Sequence, residues 1–356
     1  MRTLVISDLH LGNRAGNDVL RRAPALERLL EAIDDADRLV LLGDTVELMH
    51  RRPERSMAAA EPVIRAVGRR LGGEREVIVV PGNHDALLAR RWALAQGARL
   101  GPSTEVTPTA SPALERLVEW LGPARTRVVY PGVWLGDGIW ATHGHYLDRH
   151  LIPESAVGVL RLGARRDRDT RAQPFDYERR RQRRRRRHQR ETFPVRLAAR
   201  PVGTLLETAA GLLRGALLPQ VLHVLMETGL SRVTAGLLDA QMRYASVPAM
   251  ARVVRRLGIE ADVVLFGHVH RRGPLDGDRW LAENGTRLIN TGSWMYEPLL
   301  LDGATPPHGY WPGGAVLLDT TPPTLPPRTV GLLDDLGAEQ LRPIAGAGAG
   351  SAATAR

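Results

Sequence analysis

Five short clusters of metal-binding and acid–base side chains are distributed along this sequence of 356 residues. In chain order they are Asp8-Leu9-His10, Gly43-Asp44, Gly82-Asn83-His84-Asp85, His143-Gly144-His145 and Gly267-His268-Val269-His270. Their carboxylate, imidazole and amide donors suit hard or borderline divalent cations. The sequence contains no cysteine, which excludes thiolate ligands and disulfides. The set predicts a site with two metal ions that attacks phosphate esters.

Asp44 is the predicted bridge of this site, because two adjacent cations need at least one carboxylate between them. Gly43 before it allows the backbone to turn sharply behind a strand. Asn83 offers an amide oxygen, and three histidines complete the donor set, namely His143, His268 and His270.

The elements that must position these clusters alternate between strand and helix in the first part of the chain. Hydrophobic periodicity predicts strands at Thr3–Ser7, Arg38–Leu42 and Glu76–Val80, with helices at Pro24–Asp35 and Glu61–Leu71. This order is typical of a parallel sheet covered by helices. The first three clusters follow the three strands directly, at the edge of the sheet where open α/β folds bind ligands.

The second part of the chain predicts further strands around a long helical segment. The strands are expected at Arg127–Val129, Gly138–Thr142, Asp262–Phe266, Arg287–Asn290 and Ala315–Asp319. Residues 152–257 are rich in Leu, Ala and Arg and predict an all-helical insertion of roughly a hundred residues. The catalytic domain is therefore predicted to be discontinuous, over residues 1–151 and 258–335. Residues 321–327 are interpreted as an extended connection, and the Ala/Gly-rich residues 345–356 as a disordered tail.

As a set, the five clusters resemble the motifs of the calcineurin-like metallophosphoesterases, which read D-x-H, G-D, G-N-H-[DE], a His before Gly, and G-H-x-H. The resemblance implies a four-layer α-β-β-α sandwich carrying the helical insertion. It also implies a dinuclear centre in which Asp44 bridges the two ions. One cation would take Asp8, His10 and His270. The other would take Asn83, His143 and His268.

The resemblance further implies how the chemistry proceeds. Two divalent ions (manganese, iron or zinc) lie roughly 3.5–4 Å apart, clamp the phosphate oxygens and lower the pKa of a bridging water, whose hydroxide attacks phosphorus in line. His84 is not a ligand in that family. It faces the scissile phosphate as a general acid or an electrostatic stabiliser.

Five further residues have roles that the sequence leaves open. Glu47 and Asp85 either hold the ligands and loops of the site or act as carboxylates at helix starts. His145 is a partner of the metal centre, a substrate contact or an exposed residue. Asn290 and Ser293 belong to an N-x-G-S segment that follows G-H-x-H in the related proteins, where it supports the metal loop and sometimes the phosphate.

The net charge of +10 comes from arginine alone, since lysine is absent. Many arginines fall within Arg179–Arg190, interrupted by Gln182, His188 and Gln189. Such a run is interpreted as a solvated helix face, a disordered loop or a binder of an anionic membrane surface. Few aromatic residues interleave, which disfavours nucleic acid. The sequence begins on an apolar strand without a signal-peptide pattern, so a cytoplasmic protein, peripheral to the membrane in one alternative, is expected.

Two alternatives to a general phosphoesterase are open. One is a narrower substrate class, and the other is a protein without catalytic activity. The UDP-2,3-diacylglucosamine pyrophosphohydrolases share the Asp8–Leu11 and Gly43–Glu47 patterns and a helical lid at the insertion point. That branch has Arg at the position of His84 and Asp at that of His145, which leaves the choice between a phosphorylated small molecule and a lipid substrate open. The opposing alternative is a non-catalytic scaffold that binds partners through the Arg-rich insertion.

Overall fold

The computed structural model describes residues 1–49, 52–136, 138–151, 170–179, 245–301, 303–321 and 325–343. Most of the predicted insertion and the predicted tail lie outside the described residues. Within the described residues the strands form two sheets of seven and four strands.

The larger sheet has the order β11-β10-β1-β2-β3-β5-β4. Its strands are β1 (Arg2–Ile6), β2 (Arg38–Leu41), β3 (Glu76–Val79), β4 (Thr104–Glu105), β5 (Arg125–Tyr130), β10 (Gly314–Asp319) and β11 (Leu325–Gly331). Strands β1, β2, β3 and β5 are parallel to one another, as the alternating pattern predicted. The outer strands β4, β10 and β11 are antiparallel to their neighbours, so the sheet is mixed.

The smaller sheet has the order β6-β7-β8-β9. Its strands are β6 (Gly132–Gly136), β7 (Ile139–Thr142), β8 (Val263–Phe266) and β9 (Arg287–Asn290). Strands β7, β8 and β9 are parallel, and β6 pairs with β7 in the antiparallel sense. The pairing of β7 with β8 brings residues from both sides of the predicted insertion into one sheet.

Three apolar clusters define the layers. Besides a helical turn at residues 174–179, the described α-helices are α1 (Ala23–Asp34), α2 (Pro53–Leu71), α3 (Arg90–Gln96), α4 (Pro112–Leu121), α5 (Val247–Leu257), α6 (Pro298–Leu301) and α7 (Ala338–Leu341). Helices α1, α2 and α4 share a core with one face of the larger sheet. Helix α5 shares a core with the outer face of the smaller sheet. Side chains such as Val40 and Leu265 fill the space between the sheets. The molecule is therefore the predicted α-β-β-α sandwich.

Some elements differ from the sequence prediction. The interpretation of Ala315–Asp319 as the last strand was wrong, because β11 follows it. Strand β11 includes Pro326 and Pro327, which the sequence analysis placed in an extended connection. An edge strand tolerates proline, which removes a donor that the sheet does not need there. The short strand β4 and the whole of β6 were not predicted. Helix α2 begins earlier than expected, at Pro53, a residue suited to a first helical turn.

Two described parts of the predicted insertion are helical, namely residues 174–179 and α5. The domain boundaries themselves stay a prediction. Among the described residues, no helix combines the length and the apolar character that crossing a bilayer requires.

Candidate metal centre

The five clusters meet at the carboxyl ends of the parallel strands of both sheets. Asp8 and His10 follow β1, and Asp44 follows β2. Asn83 and His84 follow β3, His143 follows β7, and the His268–His270 pair follows β8. The non-glycine residues with positive φ in the described part of the chain are Asp8, His10, Asp44, His268 and His270. Side chains disfavour this conformation, and such strain concentrates at functional sites.

One group of donors contains Asp8, His10 and His270. His270 Nε2 lies 3.3 Å from Asp8 Oδ1 and 3.2 Å from His10 Nε2. Asp8 is buried, and its carboxylate accepts a hydrogen bond of 2.9 Å from the backbone N–H of His268. That bond ties the loop after β1 to the loop after β8. Although burial opposes its charge, neighbouring His143 and His270 lower the pKa of Asp8 to about 2.

A second group contains Asp44, His143 and His268. His143 Nε2 lies 3.1 Å from Asp44 Oδ2 and 3.0 Å from Asn83 Oδ1. Its other ring nitrogen, Nδ1, lies 3.0 Å from the carbonyl oxygen of Leu42, which fixes the orientation of the ring. A third group contains the same Asp44 together with His10 and His84. Asp44 thus belongs to two of the three groups.

Two glycines make this approach of loops sterically feasible. Gly43 has φ +90°, and a Cβ there would collide with the ring of His143. A Cβ at Gly82 would collide with the carboxylate of Asp44. Both positions therefore need glycine because a side chain of the site occupies the space that a Cβ would take.

Glu47 connects two histidines of the site through a single carboxylate oxygen. Its Oε2 lies 2.7 Å from His84 Nδ1 and 3.2 Å from His10 Nδ1. Burial disfavours the charged form of His84, but the bond to Glu47 and the charge of Asp44 outweigh it and raise the pKa of His84. Burial likewise opposes the charge of Glu47, and the two histidines nevertheless hold its pKa well below its usual range.

Comparison with known proteins identifies the family to which this site belongs. A family model described as Calcineurin-like phosphoesterase matches residues 1–195, more than half of the chain. The chain belongs to the calcineurin-like phosphoesterases. A search of curated proteins found no match. Among solved structures, the crystal structure of a cold-active protein-tyrosine phosphatase of a psychrophilic Shewanella species is 12% identical, with a TM-score of 0.31, and the match covers 90% of this chain and 75% of that chain.

Membership in the calcineurin-like phosphoesterases makes this protein a metal-dependent hydrolase of phosphoric esters. The donor chemistry of the site fits a divalent cation. Asp8 and Asp44 are buried together and need positive charge to offset them. Carboxylate oxygens, imidazole nitrogens and the amide oxygen of Asn83 converge there, and they are ligands that such cations accept.

The remaining predicted residues of this calcineurin-like phosphoesterase are buried around the centre. The carboxylate of Asp85 accepts bonds from the N–H groups of Gly82 and Thr45, which joins the loops after β3 and β2. Burial, with a contribution from Asp44, raises the pKa of Asp85 to about 7. The side-chain amide of Asn290 donates to the carbonyl oxygen of Gly267 at 2.7 Å, which supports the loop after β8.

Ser293 and His145 are buried residues whose described contacts are with neighbouring polar groups. Ser293 is buried, and its hydroxyl accepts a 3.4 Å bond from the N–H of Met295. His145 is also buried and lies 3.3 Å from the hydroxyl of Tyr130. In the described part of the chain, His145 belongs to none of the three metal-competent groups.

Sequence reasoning missed Asp148, whose Oδ1 lies 3.1 Å from His268 Nε2. It also missed Ser7, whose hydroxyl bonds to the carboxylate of Asp8 and lies 2.6 Å from the hydroxyl of Thr291. Ser7 directly precedes a motif residue, so its position was a usable signal. Asp148 lies outside the motif pattern, and its role depends on a turn that the pattern does not reveal.

Proposed function

We propose that this chain hydrolyses a phosphate ester at a centre of two divalent cations. The observation that carries the proposal is the position of Asp44 Oδ2, 3.8 Å from His10 Nε2 and 3.1 Å from His143 Nε2. One buried carboxylate oxygen therefore stands between a donor group on the β1 side and another on the β7 side. Such a shared carboxylate is what a pair of adjacent cations requires.

The proposed assignment follows the two donor groups. Asp8, His10 and His270 would hold one cation, and Asn83, His143 and His268 the other, with Asp44 common to both. When bound, manganese, iron or zinc ions there would neutralise phosphate oxygens and activate a water nucleophile. The contribution of the chain is to hold these donors before substrate arrives, on loops tied to one another by Asp8 and Asp85.

His84 is the proposed general acid. Its Nδ1–H donates to Glu47, so Nε2 is the atom that would carry a proton to the leaving oxygen. The side chain is about one-fifth exposed, enough to reach a bound ester from the rim of the site. The raised pKa keeps its imidazolium form available at higher pH than for a free histidine.

A metal-supplemented substrate panel tests this function. Full-length protein, supplied in turn with Mn²⁺, Fe²⁺ and Zn²⁺, is assayed on an aryl phosphomonoester and an aryl phosphodiester. We expect hydrolysis to depend on added cation, with about two equivalents bound per chain. Asp44→Asn should abolish it, whereas Asp35→Asn, a change at an exposed aspartate, should not. Hydrolysis that survives both chelation and Asp44→Asn would refute the proposal.

A lipid-nucleotide pyrophosphohydrolase acting at the membrane surface is the second candidate. It is favoured by the Asp8-Leu9-His10-Leu11 pattern and by Glu47, three residues after Asp44. Arg179, the first residue of the arginine run, is exposed. It directly follows Glu178, which is buried beside His145. Preference for a UDP-linked lipid pyrophosphate over a simple diester would establish this substrate, and equal or lower turnover would exclude it.

The non-catalytic alternative makes a different prediction. A scaffold that retained the donors and lost the chemistry would bind the cations in the same panel but hydrolyse none of the esters. The paired Glu47 and His84 argue against it, because a scaffold has no need of a buried carboxylate that raises the pKa of a histidine at the rim.

A further inference from the structure

A helical turn from the predicted insertion docks against the 3-10 turn that comes shortly after His143, a residue of the second donor group. Residues 174–179 pack on the 3-10 turn His145–Arg149, which begins two residues after His143. The rings of Tyr146 and Tyr177 are stacked, with centroids 4.5 Å apart and planes 7° from parallel. Arg149 lies over the same Tyr177 ring at 4.9 Å.

The contact also contains a buried polar cluster. Glu178 is buried and accepts a hydrogen bond from the hydroxyl of Tyr130, while the hydroxyl of Tyr177 lies 2.9 Å from His150 Nε2. His145 Nε2 lies 3.9 Å from Glu178 Oε1. A buried carboxylate that lost such partners would be strongly unfavourable, so this cluster fixes how residues 174–179 sit on the turn.

The turn itself reaches the metal centre at two points. His143 precedes it in the chain, and its ring centroid lies 5.6 Å from that of His145. Asp148, within the turn, contacts His268 Nε2 at 3.1 Å. A carboxylate that bonds to one ring nitrogen of a histidine fixes the orientation of the ring and, with it, the direction of the other nitrogen. The turn is therefore adjacent to both histidines of the second donor group, His143 and His268.

We propose that Glu178 and Tyr177 are positioning residues of the metal centre, which act on His143 and His268 through the turn His145–Arg149. The inference rests on the proposed function, since it takes both histidines as ligands. It gives residues of the predicted insertion a role in holding the cation, separate from any contact with substrate.

The test is a calorimetric titration of Mn²⁺ into chelator-stripped, full-length protein, together with the Mn²⁺ dependence of hydrolysis. Glu178→Ala should weaken Mn²⁺ binding by up to about 10-fold, the lower end of the loss seen when a group bonded directly to a ligand is removed, because Glu178 acts only through the turn. Glu178→Gln should have a smaller effect, because its amide oxygen can still accept from Tyr130. Activity should return to within a few-fold of wild type at saturating Mn²⁺.

Matched variants separate positioning from folding. Asp176 is an exposed residue of the same helical turn, so the Asp176→Asn protein should bind Mn²⁺ with the affinity of the wild type. Tyr177→Phe keeps the stacked ring and should stay near wild type, whereas Tyr177→Leu should weaken binding. A lower Tm with unchanged Mn²⁺ affinity in both Glu178 variants and Tyr177→Leu would overturn the inference. A wild type that binds no Mn²⁺ would instead overturn the proposed function and this inference with it.

Discussion

The most informative residue pair is Glu47 and His84, because Glu47 links His84, the proposed general acid, to His10, a proposed cation ligand. A single carboxylate oxygen contacts both His84 and His10. Glu47 is buried, so its charge acts on the two rings with little screening by water. Removal of His84 and removal of Glu47 should therefore have different and separable consequences.

His84→Asn should lower kcat by about 10²- to 10⁴-fold, the usual contribution of acid–base catalysis. The loss should be greater for phenyl phosphate esters than for 4-nitrophenyl esters, because 4-nitrophenolate leaves without a proton. Steady-state kinetics on both substrates measures this ratio, and His308→Asn serves as the control. Equal losses on the two leaving groups would contradict the role of proton donor.

Glu47→Gln should shift the alkaline limb of the kcat–pH profile to lower pH. The hydrogen bond that His84 donates to Glu47 raises the pKa of His84, and His84 can act as an acid only while it is protonated. Without the carboxylate, the pKa falls and the proton is lost earlier as the pH rises. A profile between pH 5 and pH 10 measures the shift, with the exposed Glu115→Gln as control. An unmoved limb would show that another group titrates there.

The sequence predicted which side chains would meet, although their role as ligands stays a prediction. The seven residues proposed as ligands lie in one place because each motif follows a strand, and parallel strands bring their carboxyl ends to one edge. Asp148 and Glu178 could not be found in this way. Their partners are distant in the chain, and an isolated acidic residue has no periodicity to mark it.

At the scale of elements, apolar runs in the sequence predicted the central strands but not the edge strands β4, β6 and β11. Strands β1, β2, β3 and β8 are continuous runs of buried residues, which periodicity identifies directly. Strand β11 is only partly buried and contains two prolines, so its local sequence resembles a connection. Only its pairing with β10 makes it a strand, and pairing is a tertiary property.

The loop after β2 gives a test at this scale. Gly43→Ala and Gly72→Ala both put a side chain at positive φ, which should cost about 1–3 kcal/mol of unfolding free energy in each case. Only Gly43 lies against His143, whereas Gly72 faces open space. Urea denaturation should show the larger loss for Gly43→Ala, whose Cβ also collides with the ring of His143, and Mn²⁺ binding and hydrolysis should fail in that variant alone. Normal metal binding by Gly43→Ala would contradict the close packing.

At the scale of the whole molecule, the face-to-face sheets bring the first and last motifs together. Asp8 follows a strand of the larger sheet, and His270 follows a strand of the smaller one. Periodicity predicted both strands but not which sheet each joins, because a buried strand looks the same in either. The four-layer arrangement was predictable only through the resemblance of the motifs.

The arginine run gives the prediction that concerns the molecule as a whole. Replacement of Arg183, Arg184 and Arg185 by Gln should weaken binding to phosphatidylserine vesicles, by about 1 kcal/mol per charge near the surface. Hydrolysis of a small soluble ester should not change. Vesicle co-sedimentation at two salt concentrations measures the effect, with neutral phosphatidylcholine vesicles as the control. Unchanged binding would leave the run as a solvated face.

The two ends of the larger sheet have a consequence for how copies of this protein behave at high concentration. One end is β11, where Pro326 and Pro327 supply no N–H groups for another chain to use. The other end is β4, which is only two residues long. A short edge strand and prolines in an edge strand both disfavour the addition of a strand from a neighbouring molecule, so both borders of the mixed sheet carry features that oppose edge-to-edge aggregation.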